Sequence, residues 1–165
     1  SYQLMSILIA GDYIPSYRVA GLIHNKEYAK VFSNVSQIIG NYDLSIVNLE
    51  APVIKASGIP QNKTGPHVKC TVNAIEALKY AGINMVTLAN NHLYDFGEVG
   101  VSDTLQTCRI NDIDCVGGGM NITDARRVVY KRVHNLNIAI LNFCENEFSI
   151  ATQDKGGGQP TRYSV

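Results

Sequence analysis

The sequence lacks an excess of charge of either sign and any long apolar run. Its 14 Lys and Arg residues balance its 14 Asp and Glu residues, so no overall positive field draws the chain to nucleic acid or to an anionic membrane surface. Apolar runs such as Leu4 to Ala10 and Ile138 to Leu141 are far shorter than the roughly 20 residues that cross a bilayer. We therefore expect no nucleic-acid partner, and no membrane association is visible in the chain.

Paired cysteine motifs are also absent. Cys70, Cys108, Cys115 and Cys144 form no CxxC pair and lack the dense spacing of a disulfide-stapled domain, which argues against a zinc site built from paired thiolates. Cys108 and Cys115 are near enough to approach each other across a helix-to-strand turn, but we interpret all of these residues as reduced, buried thiols. The location stays open between the cytoplasm and the cell envelope.

The apolar residues that are present indicate one α/β domain spanning residues 1–165. Short runs rich in Val, Ile and Leu alternate with longer amphipathic segments, which predicts a layered sheet of mostly parallel strands with helices on both faces. The predicted strands are Leu4 to Ala10, Leu44 to Leu49, Met85 to Ala89, Asp114 to Val116, Val128 to Val133 and Ile138 to Phe143. The predicted helices are Glu27 to Ile39, Val72 to Ala81 with Gly82 ending it, and about Val99 to Ile110. The last two strands predict a hairpin within a mixed sheet.

Polar residues follow three predicted strands directly. They are Gly11-Asp12, Asn48-Leu49-Glu50 and Asn90-Asn91-His92. Because the carboxyl ends of parallel strands open onto one crevice, we expect Asp12, Glu50, Asn91 and His92 to be neighbours. Two carboxylates, an amide oxygen and an imidazole suit Mn, Mg, Fe or Zn. Each residue alone has a structural alternative, such as a turn, a cap or a solvated side chain, and only the shared placement favours a divalent-metal site.

Further candidates lie around this cluster. Asp95 follows His92 closely and either orients its ring or caps the next helix. His67 and Lys69 follow a long Pro- and Gly-rich loop and are candidates for contacting an anionic substrate, with a solvated surface as the alternative. Glu145 and Glu147 follow the last predicted strand and are candidates for substrate contact or charge balance, again against a solvated loop.

Taken in order, these motifs resemble one family. Gly11-Asp12, Asn48-Leu49-Glu50 and Ala89-Asn90-Asn91-His92, with Asp95, Gly97 and Gly100, are similar to the bacterial capsule-synthesis (poly-γ-glutamate synthesis, CapA-type) family, as are residues 81–88 and Gly117-x-Gly119-x-Asn121. That family resembles calcineurin-like metallophosphoesterases, which implies a layered α/β domain with a metal centre at the strand ends. The resemblance implies that Asp12 and Asn91 are metal ligands, that Glu50 takes the place of a bridging aspartate, and that His92 faces the substrate.

The chain departs from the metallophosphoesterase pattern in two respects. Ile14 stands where those enzymes place a His two residues after the first Asp, so we expect one metal site to be weakened. Both groups of proteins draw further histidine ligands from a C-terminal portion, and neither His24 nor His134 lies in a matching motif. We therefore expect the chain to be the N-terminal part of a longer domain, with an incomplete site.

Two functions follow as expectations. The first is a metal-dependent, phosphoesterase-like protein of capsule or exopolymer biosynthesis that acts on a phosphorylated or polyanionic intermediate, with polymer-synthesis proteins as partners. The second is a non-catalytic accessory that binds an anionic polymer in the same cleft. Nucleotide binding at Gly117-Gly118-Gly119 is disfavoured, because these glycines lack the GxGxxG spacing and follow the fourth strand rather than the first.

Overall fold

A four-stranded parallel sheet organises the structure, a computed structural model that describes residues 4–162. Its strands are β1 (Ile7–Tyr13), β2 (Leu44–Leu49), β3 (Met85–Thr87) and β4 (Asp114–Val116), and they lie in the order β1-β2-β3-β4. The predicted α/β sheet of mostly parallel strands with flanking helices is confirmed. The predicted domain, residues 1–165, extends beyond the described residues at both ends.

The larger helices cover only one face of this sheet. The helices are α1 (Tyr17–His24), α2 (Tyr28–Phe32), α3 (Ser36–Gly40), α4 (Val72–Ala81), α5 (Gly97–Ile110) and the short α6 (Ile122–Ala125). Ile23 of α1, Leu78 of α4 and Val101 of α5 are buried in one cluster with Val47 and Val86 of the sheet. The prediction of helices on both faces is wrong, because right-handed crossovers between strands that follow one another in space all return over the same face.

A hairpin covers the other face. The remaining strands are β5 (Gly118–Gly119), β6 (Val129–Val133), β7 (Leu136–Ile140) and β8 (Gly157–Gly158). Strands β6 and β7 pair antiparallel, so the predicted hairpin is confirmed, but within residues 4–162 they form a separate two-stranded sheet and the predicted mixed sheet is wrong. The reason is packing: Val129, Ile138 and Ile140 lie against Met85 and Val116 instead of extending the strand ladder.

Two element boundaries differ from the prediction in ways that matter for the site. The single helix expected over residues 27–39 is divided into α2 and α3, with a break at the weak helix formers Ser33 and Asn34, and α1 was not predicted. Strand β1 continues to Tyr13 through an irregularity in register between Ile9 and Asp12. Asp12 therefore lies inside β1, opposite Asn48, rather than after the strand.

The C-terminal segment returns to the carboxyl ends of the central strands. Strand β8 pairs antiparallel with β5, which follows β4 directly. Gly117 has φ +85, a conformation that favours glycine, and the Asn142 side chain packs against its Cα. The segment after β7 thereby lies beside the loop that follows β3.

Neither a membrane span nor a disulfide is present in the described part of the chain. No helix there is long and apolar enough to cross a bilayer. Cys70, Cys108, Cys115 and Cys144 are all free thiols, with Cys70 and Cys108 buried and the other two half-buried. A hydrogen bond with Cys108, together with burial, raises the pKa of the Cys115 thiol, so these two residues are neighbours across the α5–β4 turn.

Candidate functional site

A hydrogen-bonded network of amides connects the ends of three neighbouring strands. Asn48 Nδ2 donates to Asp12 Oδ1 at 2.8 Å, while Asn48 Oδ1 accepts from Thr87 Oγ1 at 3.0 Å and from Asn90 Nδ2 at 3.2 Å. Asn90 Nδ2 also donates to the Leu49 carbonyl oxygen at 2.9 Å. Asn48 therefore orients the Asp12 carboxylate, and Asn90 connects the loop after β3 to β2.

Asp12 and Glu50 lie at the ends of the neighbouring strands β1 and β2, where the Glu50 amide donates to the Tyr13 carbonyl oxygen at 3.2 Å. Burial raises the pKa of Glu50 above its ordinary value, and a hydrogen bond with Asp12 and the negative charge of Asp12 raise it further. His92 acts on the pKa of the same carboxyl group in the opposite direction. The Asp12 and Glu50 carboxyl groups cannot both ionise without repulsion.

The loop after β3 holds His92 and Asn91 in different surroundings. The His92 amide donates to Asn90 Oδ1 at 3.1 Å, which fixes a tight turn. The His92 side chain is only 12% exposed, whereas Asn91 is exposed. Asn91 lines a 220 Å³ pocket together with Cys144, Glu145 and Glu147, so the structure brings Glu145 and Glu147 beside Asn91.

Beneath His92 lies a buried ionic cluster. Asp95 Oδ2 is 2.8 Å from His92 Nδ1 and accepts from the Val68 amide at 2.9 Å, and the Asp95 side chain is 0% exposed. Lys63 Nζ forms an ion pair with Asp95 Oδ1 and lies 3.4 Å from His92 Nδ1. Asp95 does not cap α5, whose N-cap residue is Phe96. The carboxylate therefore faces the imidazole and a lysine.

Ser149 and Asn142 support the site from the C-terminal segment. Asn142 Oδ1 accepts from the Ala89 amide at 2.7 Å. The buried Ser149 hydroxyl donates to the Asn91 carbonyl oxygen at 2.8 Å and accepts from the Tyr94 amide at 3.2 Å. Both sides of the loop that presents His92 are thereby fixed by residues more than 50 positions away in sequence.

Lys155 anchors that C-terminal segment to the same loop. Its Nζ donates to the Phe148 and Ile150 carbonyl oxygens, each at 2.7 Å, and lies 4.1 Å from the centroid of the Tyr94 ring. Burial lowers the pKa of Lys155, against the opposing effect of Glu98. Glu98 Oε1 in turn accepts from the Gly156 amide at 2.9 Å.

His67 and Lys69 lie apart from the carboxyl pair. His67 Nε2 is 2.6 Å from the Gln61 carbonyl oxygen, and its ring meets the edge of Phe96 with centroids 6.1 Å apart. Lys69 Nζ lies 5.5 Å from the Phe96 ring centroid. Both side chains therefore pack around Phe96, and in the described residues no hydrogen bond, ion pair or ring contact joins either of them to Asp12, Glu50 or His92.

The carboxyl pair meets part of what a divalent metal requires. Its two carboxyl groups are hard oxygen donors, and the repulsion between them would be relieved by a cation. Within residues 4–162, however, no three His, Cys, Asp or Glu side chains converge closely enough to hold a metal ion. The pair can supply two ligands, and the remainder of a coordination shell would come from water, neutral oxygens such as Asn91, or groups outside these residues.

Comparison with known proteins identifies the family. The profile described as "Bacterial capsule synthesis protein PGA_cap" matches residues 6–164. The chain belongs to this family. It is 29% identical over 159 residues to the "Capsule biosynthesis protein CapA" of Bacillus anthracis, a match that covers 94% of this chain and 39% of that protein. It is 27% identical over 146 residues to the "PGA biosynthesis protein CapA" of Bacillus subtilis (strain 168), covering 88% of this chain and 38% of that protein.

This PGA_cap chain thus spans less than two fifths of the length of these two relatives. The match confirms the resemblance to the CapA-type capsule-synthesis family. The motifs that carried this resemblance, from Asp12 to Asn121, fall inside the matched residues.

Sequence reasoning missed three residues of the site. Lys63 lies in a loop without periodicity, and its partner Asp95 is 32 positions away, so no spacing pattern indicates the pair. Ser149 and Asn142 were missed because their partners are backbone groups of a distant loop. A weak signal existed for Asn142: it stands at the end of an apolar strand candidate, the same placement that singled out Asp12 and Asn91.

Proposed function

We propose that this chain takes part in the synthesis of a bacterial capsule polymer of the poly-γ-glutamate type. The family and both relatives carry that role in their descriptions, and the polar cluster at the strand ends supplies a site for it. Such polymers and their phosphorylated precursors are anionic. A protein with no net charge binds them through a local cationic group or a bound cation rather than through its overall field.

We further propose that the site is a divalent-metal centre of the phosphoesterase type. The observation that carries the proposal is the placement of Asp12 and Glu50 at the ends of two neighbouring strands, where Asn48 orients the Asp12 carboxylate and the Glu50 amide donates to the Tyr13 carbonyl oxygen. Asp12 and Glu50 would hold Mn, Mg, Fe or Zn, with Asn91 as a neutral oxygen ligand. Such an ion, when bound, lowers the pKa of its water and screens the charge of a phosphoryl group.

The side chains of the chain itself have separate tasks in this proposal. Asn48 holds the Asp12 carboxylate in place through its 2.8 Å hydrogen bond. His92 presents its ring to the phosphoryl oxygens or the leaving group, fixed from behind by Asp95. Glu145 and Glu147, which share a pocket with Asn91, discourage a second anion and so favour a substrate that reaches the site with a cation.

A direct experiment is hydrolysis of an aryl phosphate by the full-length protein with Mn²⁺, Mg²⁺, Fe²⁺ or Zn²⁺. We expect metal uptake and turnover, and we expect Asn91→Ala and His92→Ala to abolish turnover while near-native circular dichroism shows an intact fold. Glu27→Gln, which changes a half-buried carboxylate paired with Lys30, is the matched control and should keep full activity. Absence of metal uptake under all of these conditions would exclude the metal centre.

A non-catalytic role is the second candidate. The observation that favours it is the lack, within residues 4–162, of a third acidic, thiol or imidazole ligand for a metal ion. In this case the cleft binds the anionic polymer without chemistry. Binding of poly-γ-glutamate that survives both chelation and the Asn91→Ala change would support this role over hydrolysis.

A further inference from the structure

Lys63 is a buried cation within the site. Its side chain is 8% exposed, and its ammonium group pairs with Asp95, whose side chain is 0% exposed. Burying either charge alone is unfavourable, whereas burying them together as an ion pair offsets most of that cost. The pairing therefore compensates the negative charge of Asp95 in the interior.

The charge on Asp95 determines which atom carries the proton between it and His92. Asp95 Oδ2 and His92 Nδ1 are 2.8 Å apart, a distance at which two lone pairs repel, so a proton lies between them. Because the Asp95 carboxylate pairs with the Lys63 ammonium group and accepts from the Val68 amide, it is the acceptor, and that proton belongs to Nδ1, which donates to Oδ2. Lys63 Nζ is 3.4 Å from Nδ1 and is too distant to compete strongly as a donor to it.

We propose that Lys63 is a positioning residue of this site: through its ion pair with Asp95 it fixes His92 with Nδ1 as the donor and leaves Nε2 for the cleft. In the neutral ring, Nε2 then carries the lone pair and acts as an acceptor. Nε2 has no partner among the described residues. The tautomer follows from the geometry alone. Only the identity of the group that Nε2 binds, a substrate proton or a cation, rests on the proposed function.

The test reads the His92 ring directly and does not require activity. Long-range ¹H–¹⁵N spectra of the full-length, ¹⁵N-histidine-labelled protein at one fixed pH distinguish the two neutral tautomers, and the signals missing in His92→Gln identify His92. We expect a single Nδ1–H pattern in the wild type and in Lys63→Arg, which keeps the charge. We expect loss of that single pattern, with both tautomers present, in Lys63→Gln. Lys55→Gln, a change in the same loop at an exposed lysine bonded to Gln106, should leave the spectrum unchanged.

A second variant covers the case in which Lys63→Gln does not fold. Lys63→Met keeps a side chain of similar length without the ammonium group and leaves Asp95 in place, and we expect it to show both tautomers. A wild-type pattern in either folded variant would overturn the proposal. Failure of the wild type to hydrolyse any phosphoester would count against the proposed function alone, because the tautomer measurement would still decide the role of Lys63.

Discussion

The Ser149 hydroxyl donates a hydrogen bond to the Asn91 carbonyl oxygen at 2.8 Å, and the two residues are 58 positions apart in sequence. The same hydroxyl accepts from the Tyr94 amide at 3.2 Å, so one buried side chain satisfies a carbonyl before His92 and an amide after it. The loop that presents His92 therefore depends on the C-terminal segment for its shape. A substitution at Ser149 should therefore alter the loop that presents His92, although Ser149 contributes no reactive group to the site.

We predict that Ser149→Ala destabilises the protein by about 2 kcal/mol, because it leaves two backbone groups without their hydrogen-bond partner in a buried position. The measurement is urea denaturation monitored by circular dichroism. Ser102→Ala, on the surface of α5, removes only a hydroxyl that accepts from Gln106 and should change stability by less than about 0.5 kcal/mol. Equal effects of the two substitutions on the free energy of unfolding would show that the two hydrogen bonds of Ser149 do not stabilise the fold more than a surface hydroxyl does.

Gly117 gives a second prediction. A Cβ at this position would overlap Asn142 Oδ1, the atom that accepts from the Ala89 amide, and φ is +85. Gly117→Ala therefore combines backbone strain with displacement of Asn142, and we expect a loss of about 2 kcal/mol or more in the free energy of unfolding.

Gly21→Ala is the matched control for that change. A Cβ there meets nothing within 4 Å, and the residue lies inside α1. Alanine should stabilise the helix by about 0.5–1 kcal/mol, so the two Gly→Ala changes are expected to have opposite signs in the same denaturation experiment. If Gly117→Ala is neutral, the close contact with Asn142 is not a constraint on the fold.

The site could be predicted from sequence as far as strand periodicity reaches. Val- and Ile-rich strands followed by polar residues located Glu50, Asn91 and His92 at one edge of a parallel sheet, because the geometry of such sheets determines where their carboxyl ends meet. Asp12 was predicted to follow β1, and it lies inside that strand instead, because β1 continues past Gly11 to Tyr13. The predicted region was nevertheless right.

Contacts made by loops and packing faces lay beyond that reasoning. Lys63 lies in a Pro- and Gly-rich loop whose path depends on the whole domain, so no local sequence pattern predicts its ion pair with Asp95. The hairpin of β6 and β7 was predicted from its turn, but stacking and edge pairing require the same alternation of apolar residues. Only the packing of Val129 and Ile138 against the face of the sheet distinguishes a stacked hairpin from one that pairs with the sheet edge.

Asp43 gives a prediction about pH. The Ser6 amide donates to Asp43 Oδ2 at 2.8 Å, and with further bonds from the Ser6 hydroxyl and His134 it lowers the pKa of Asp43 below the ordinary value of 3.8. A carboxyl whose pKa is lower in the folded state stabilises the fold above its ordinary pKa and loses that contribution as pH falls through the folded value.

The stability difference between wild type and Asp43→Asn should therefore shrink as the pH falls below about 4. Denaturant titrations at several pH values measure it. Asp154→Asn changes an aspartate that accepts no hydrogen bond among the described residues, and it serves as the control. A difference that grows as the solution becomes more acidic would contradict the assignment of these bonds.

Glu50 gives the last prediction, which concerns both the apo protein and the metal. Because burial and Asp12 raise its pKa in the folded state, ionisation of Glu50 opposes folding once pH rises above the ordinary value of 4.5. Glu50→Gln should therefore raise the melting temperature of the metal-free, full-length protein at pH 7, and the gain should vanish at pH 4.

A divalent cation replaces the repulsion between Asp12 and Glu50 with attraction, so Mn²⁺ should raise the melting temperature of the wild type in a concentration-dependent manner. The same addition should have little effect on Glu50→Gln or Asp12→Asn and a full effect on Glu27→Gln. A stabilising response to Mn²⁺ that persists in both site variants would place the cation elsewhere on the protein.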